Sequence, residues 1–202
     1  GLGRLHRIES GTLAVTSLDF GNEAPISCVT ISPDGQRVAA ATYANAVFLW
    51  EGGGLGGAPV RLAHPSRVSH ACFSPDGARL ATACDDAIIR IWRTADGTLE
   101  RELPKADDRI PQVAFDATGR QLAAAVRSGE LLVWDLATAV CETWSPANQK
   151  PLRAVCFSPD GHWLVVAGAE RTVAVWDTTL RRRVANLVGH NQEIFCLDIS
   201  PN

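Results

Sequence analysis

Apolar residues come in short bursts along this chain, and five of the bursts run into the same kind of polar turn. ISCVTI, VSHACF, IPQVAF, LRAVCF and IFCLDI precede turns opened by Ser32, Ser74, Asp116, Ser158 and Ser200. Short runs of β-branched, aromatic and small residues, bounded by Pro and Gly, predict strands rather than helices. Apolar and small side chains fill both alternating sets, so this first strand is expected to be covered on both faces. In SPDG the proline presets the backbone, the aspartate bonds its own main chain and the glycine accepts positive φ. DATG at 116–119 keeps the glycine and loses the proline, which predicts a softer turn.

Each turn is followed by a second apolar run (RVAAAT, RLATAC, QLAAAV, WLVVAG) and a third ending on tryptophan (AVFLW, IIRIW, ELLVW, TVAVW). A fourth, more polar segment lies near 60–62, 99–103, 140–143 and 184–187. The turn openers step by 42 residues, and so do Trp50, Trp92, Trp134 and Trp176. Two ladders with one period and no insertion mark an internal repeat. The unit is four antiparallel strands, most apolar at the first and wettest at the last, the gradient a radial arrangement of sheets requires. The expected units are 22–63, 64–105, 106–147 and 148–189. Residues 1–21 read as the end of a preceding unit, with a third strand at 4–8, and 190–202 as the start of another, with a first strand at 194–199.

This pattern resembles the WD-repeat β-propellers. The strand-ending dipeptide stands at Trp134-Asp135 and Trp176-Asp177, and a glycine-histidine pair at Gly189-His190. The resemblance implies an all-β propeller of four-stranded antiparallel blades, four of them complete here. It also implies a buried hydrogen-bonded set at His64, Thr82, Asp86 and Trp92, in which the aspartate accepts from the histidine, the histidine meets the hydroxyl and the hydroxyl meets the indole N–H. Buried polar groups of this kind must satisfy one another. The other units carry degraded versions: Asn22, Ala40, Ala44 and Trp50; Ala106, Ala124, Ser128 and Trp134; Asn148, Val166, Glu170 and Trp176. His190 takes the place of His64 in the last unit.

Composition narrows the class. The 202 residues are 46% hydrophobic and 20% charged, enough for a substantial core. No apolar run has membrane-spanning length and no leader pattern opens the chain. A net charge of −3 does not mark a surface made for nucleic acid. The absence of methionine and the end at Ser200-Pro201-Asn202 read as a slice of a longer propeller, for which the resemblance implies seven blades. A five-bladed ring and an open, oligomerising fragment are the alternatives. Seventeen arginines against two lysines point to a GC-rich, bacterial source.

Several tempting motifs have plain readings. GGGLGG at 52–57 contains GxGxxG, but a phosphate site needs a helix next, and Ala58-Pro59-Val60-Arg61 reads as a hairpin loop. Cys28 matches Cys196 in register, and Cys72 matches Cys156. Equivalent positions in separate blades lie too far apart for a disulfide, so these four read as small buried hydrophobes in a reducing, cytoplasmic compartment, while Cys84 and Cys141 have no match in register. No CxxC pair points to zinc. His70 is placed near the channel as a structural histidine, and His162 beside an exposed turn. The basic run at Arg181, Arg182 and Arg183 reads as a solvated edge that discourages strand pairing. Neither a cofactor nor a metal is expected.

The resemblance places the contact surface on the face bearing the turns before the first strands and between the second and third. Those positions hold Tyr43, Arg67, Asp85, Arg109, Arg127, Arg153 and Phe195. Arginine and aromatics are enriched at binding hot spots. The expectation is a non-catalytic scaffold or sensor binding an acidic protein partner, with an effector domain fused or assembled alongside. An enzyme would need converging acids, bases or ligands at the first-strand starts, where Ser27, Ser69, Pro111, Arg153 and Phe195 make a poor set. A nucleic-acid-binding ring is disfavoured by the net charge and would show salt-dependent binding.

Overall fold

The computed structural model describes residues 5–8, 15–18, 25–52, 57–144 and 150–200, the first two stretches as backbone alone. Asn22, Asn148 and residues 53–56 of the glycine run lie outside the described residues. The described residues contain strands and no helix, so none is long and apolar enough to cross a membrane.

β1 (Leu5–Ile8) and β2 (Val15–Leu18) form an antiparallel hairpin. Four sheets of four antiparallel strands follow, each in sequential order. Blade one holds β3 (Ile26–Ile31), β4 (Arg37–Thr42), β5 (Ala46–Glu51) and β6 (Val60–Ala63). Blade two holds β7 (Val68–Phe73), β8 (Arg79–Cys84), β9 (Ile89–Arg93) and β10 (Leu99–Glu102). Blade three holds β11 (Gln112–Phe115), β12 (Gln121–Ala125), β13 (Leu131–Asp135) and β14 (Cys141–Thr143). Blade four holds β15 (Leu152–Phe157), β16 (Trp163–Gly168), β17 (Val173–Asp177) and β18 (Arg182–Leu187). The glycine run is thus followed by β6, a strand, which removes the phosphate-loop reading.

The blades pack in series through their first strands, β3 on β7, β7 on β11 and β11 on β15. Period-two alternation sends each blade's side chains to two neighbours. Leu80 and Trp92 face Ala39, Val47 and Leu62 of blade one, while Ala81, Ala83 and Ile91 face Val113, Leu122 and Trp134 of blade three. Every strand-ending tryptophan from blade two onward packs toward the blade before it, with Trp176 beside Trp144. The alanine-rich second strands let neighbouring sheets approach closely, and the large residues of the third strands fill the space between.

Burial peaks in the middle strands rather than in the first. β4, β5, β8 and β12 are almost wholly buried, while β3 is only half covered and β18 is exposed throughout. In β3 the face carrying Cys28 packs against blade two, while Val29 and Ile31, on the opposite face with Ala40 and Val38, are exposed. The expected covering of both its faces does not hold for β3.

All four first turns close alike. Gly35, Gly77, Gly119 and Gly161 have φ of 69, 67, 68 and 74°. In SPDG the serine hydroxyl accepts the amide five residues on, as Arg37 N to Ser32 Oγ at 2.8 Å. In DATG the Asp116 carboxylate takes over that job, accepting the Gln121 amide at 2.7 Å. The turn expected to be softer therefore has the same closure. Pro111 lacks an N–H, and β11 begins only at Gln112, two residues later than the 42-residue step places it.

Residues 194–199 do not form the expected strand. They run alongside blade four, where Ile194 is buried against Val165, Ala167 and Val173.

Candidate functional site

The hydrogen-bonded set is built where blade two meets blade one. Trp92 Nε1–H donates to Thr82 Oγ1 at 2.9 Å, and Thr82 Oγ1 lies 2.8 Å from His64 Nε2. His64 Nδ1–H donates to the Leu62 carbonyl at 3.0 Å. That bond fixes the tautomer: Nε2 is the acceptor and the threonine hydroxyl its donor. Asp86 does not accept from His64 as the resemblance implied. It pairs with Arg90 at 2.8 Å and caps the Ile88 amide. Arg90 is the reason. Its register equivalents are Phe48, Leu132 and Ala174. Here a buried guanidinium draws in both Asp86 and Glu102, the latter also at 2.8 Å. Burial opposes the Asp86 charge, but the Arg90 hydrogen bond and charge hold its carboxyl below the usual range. Burial pushes His64 down to about 4, so the ring is neutral at pH 7.

The degraded blades show what the set does. Ala124 and Val166 stand where Thr82 does and offer no hydroxyl. The indole nitrogens of Trp134 and Trp176 are buried without a hydrogen-bond partner among the described residues. His190, expected in the place of His64, is exposed.

Five of the seven rim residues are held at one edge of the blades by a repeated main-chain bond. The amides of Tyr43, Asp85 and Arg127 donate to the carbonyls of Pro25, Arg67 and Arg109 at 3.0, 2.8 and 2.9 Å. Side chains then cross from blade to blade. The Arg67 guanidinium lies 3.9 Å over the Tyr43 ring, and Arg109 reaches Asp85 at 3.6 Å. Arg153 meets Glu193 at 3.2 Å and lies 5.6 Å from the Phe195 ring, which is 68% exposed. Arg127 is exposed and has no ion pair among the described residues. Asp107 and Asp108 flank Arg109 in the same loop, so the uncompensated positive charge collects at Arg67 and Arg127.

At the first-strand starts the hydroxyls are structural. Ser27 Oγ donates to the Val68 carbonyl of blade two at 2.6 Å, and Ser69 Oγ to the Ile110 carbonyl beside blade three at 2.7 Å. His70 has its Nδ1 buried without a partner, and burial pushes it down to about 4. Among the described residues no group of three or more His, Cys, Asp or Glu is placed to hold a metal ion. All six cysteines are free. Cys84 is buried, Cys28, Cys72 and Cys156 are half-buried, and Cys141 and Cys196 are exposed, so the buried-hydrophobe reading fails for Cys196. Burial raises the Cys72 thiol to about 12 and Cys156 to about 11.

Two residues escaped the sequence reading. Glu193 neutralises Arg153, and it stands in the register of Arg67 and Arg109, which would have pointed to the rim. Arg90 stands alone at an otherwise apolar register position, which would have flagged it.

No curated protein matches the chain. A family model for the WD domain, G-beta repeat, matches residues 6–51, 57–93 and 139–177. Those three segments cover more than half of the chain and coincide with β1–β5, with blade two through β9, and with the stretch from the β13–β14 turn through β17. With its antiparallel four-stranded blades and its 42-residue ladder, the chain belongs to the WD-repeat family.

Proposed function

We propose that this chain is a non-catalytic scaffold or sensor module whose rim, at Tyr43, Arg67, Asp85, Arg109, Arg127, Arg153 and Phe195, binds an acidic segment of a protein partner. Repeats of this family generally mediate protein–protein scaffolding and are typically non-catalytic. The observation that carries the reading is the rim itself: arginines laid over Tyr43 and Phe195, with Arg127 exposed and unpaired between them. Preformed arginine–aromatic contacts hold the guanidinium planes in place, so a carboxylate meets an ordered, bidentate partner. The six free thiols suit a reducing compartment, and we place the protein in a bacterial cytoplasm, working beside an effector domain.

The test is capture of an acidic peptide, such as a capped Glu-rich octamer, before and after Arg127→Glu and Arg153→Glu. The double variant should bind at least about tenfold more weakly, the worth of one or two charge-assisted hydrogen bonds. Undiminished binding removes the rim as the contact surface.

A further inference from the structure

The three seams between blades differ at one repeated spot near the outer edge. Sheet register puts Val60, Arg101 and Glu142 at a common level, because they pair with Leu49, Ile91 and Val133. Facing them from the next blade is the turn that holds Gly97, Ala139 or Arg181, again 42 residues apart. Between blades one and two the spot is closed by direct contact. A Cβ at Gly97 would lie 2.5 Å from Val60 Cγ1 and 3.1 Å from Leu62 Cδ2. Between blades two and three it is filled by the protein's own arginine. Arg101 Nη1 donates to the Leu136 carbonyl of blade three at 2.8 Å, leaving a gap of only about 10 Å³.

Between blades three and four the spot is open. A cavity of about 210 Å³ reaches the surface there, with Val133, Val140 and Trp144 as apolar walls and Asp135, Glu142 and Arg181 as charged ones. Trp144 Nε1–H donates to Glu142 Oε2 at 3.1 Å, and Arg181 pairs with Oε1 of the same carboxylate. The Asp135 Oδ1 accepts the amides of Ala137 and Thr138, both at 2.9 Å. Two carboxylates against one guanidinium leave the cavity with a charge of about −1, an excess that favours a cationic occupant. Its volume falls below that of a drug-sized site and suits one long side chain.

We propose that this cavity receives one arginine side chain from a protein partner, with its guanidinium on Glu142 and Asp135 and its stem against Trp144 and Val140. The neighbouring seam shows the fit, because Arg101 already fills the equivalent spot from within the chain. A planar guanidinium suits paired carboxylate oxygens and an indole wall better than an ammonium does. The site lies on the side of the stack, away from the rim, and failure of the rim reading leaves it untouched.

The experiment is an NMR titration of the tryptophan indole N–H signals with a capped Gly-Arg-Gly peptide, the Trp144 signal being identified by its loss in Trp144→Phe. The expected result is a saturable shift at Trp144, absent with capped Gly-Glu-Gly. Glu142→Gln should weaken binding by at least about tenfold, while Arg109→Glu at the rim should leave it unchanged. Arg181→Ala removes the resident cation and should tighten binding. Any of three results overturns the proposal: no saturable shift at Trp144, an equal response to the glutamate peptide, or weaker binding in Arg181→Ala. Undiminished binding in Glu142→Gln, with the other indole signals still dispersed as in the folded parent, does the same.

Discussion

Thr82 is worth more than its size because two buried groups depend on its hydroxyl. Replacing it with valine keeps the shape and strands Trp92 Nε1 and His64 Nε2 in a buried place. Thr82→Val, like His64→Ala, should cost about 1–3 kcal/mol in urea unfolding. The reverse change belongs to blade four. Val166→Thr puts a hydroxyl at the register of Thr82, where the buried Trp176 Nε1 has no partner among the described residues. It should be neutral or stabilising by about 1 kcal/mol, whereas Val→Thr in a core without a waiting donor is costly. A loss as large as that of Thr82→Val would show that the two blades differ in geometry at this point. Ala139 offers a second case, with φ of 60° at the turn where blade two has Gly97 at 68°. Ala139→Gly should stabilise by about 1 kcal/mol, the relief of a left-handed alanine less the added chain entropy.

Turn and tryptophan ladders made the elements legible. Register alone located nearly every strand, because a 42-residue step without insertion leaves no freedom in where the next one falls. What escaped was set by contacts between blades. Half-burial of β3 depends on which of its two faces meets blade two, and Asp86 left His64 because a single buried guanidinium, Arg90, stood within reach. The stretch at 194–199 has strand composition, yet it lies against blade four through Ile194 without forming a strand. Blade three shows the converse. It has neither SPDG nor the full hydrogen-bonded set, and most of it lies outside the family match, yet its alternation of large and small residues folds the same sheet. The seams carry their own prediction. Ser69 joins two blades through the Ile110 carbonyl, while Pro111 at the next seam has no side-chain donor. Ser69→Ala should cost about 1 kcal/mol by calorimetry or urea melts, and Pro111→Ser should cost less than Ser69→Ala or add stability.

At the scale of the molecule, stability is expected to fall in mild acid before the carboxylates titrate. His64 and His70 are held neutral, each down to about 4 from 6.5. Below pH 6.5 the unfolded chain takes up protons that the folded chain refuses, so stability present above that pH drains away as pH falls toward 4. The expected loss is on the order of 2 kcal/mol or more in total, and His70→Leu should flatten part of the slope. A flat profile from pH 7 to 4.5 would mean that neither ring is sealed from water. Function at this scale depends on whether the positive charge that matters sits on the rim or is merely general to an arginine-rich chain. The direct measurement is the affinity of the Glu-rich peptide at low and at physiological salt. It is made for the parent, for the rim triple Arg109→Glu, Arg127→Glu, Arg153→Glu, and for a variant reversing Arg182 and Arg183 on β18. The account predicts binding that weakens with salt, falls by at least about tenfold in the rim triple and is unmoved by the β18 pair. Equal loss in both variants, or none in the triple, would contradict it.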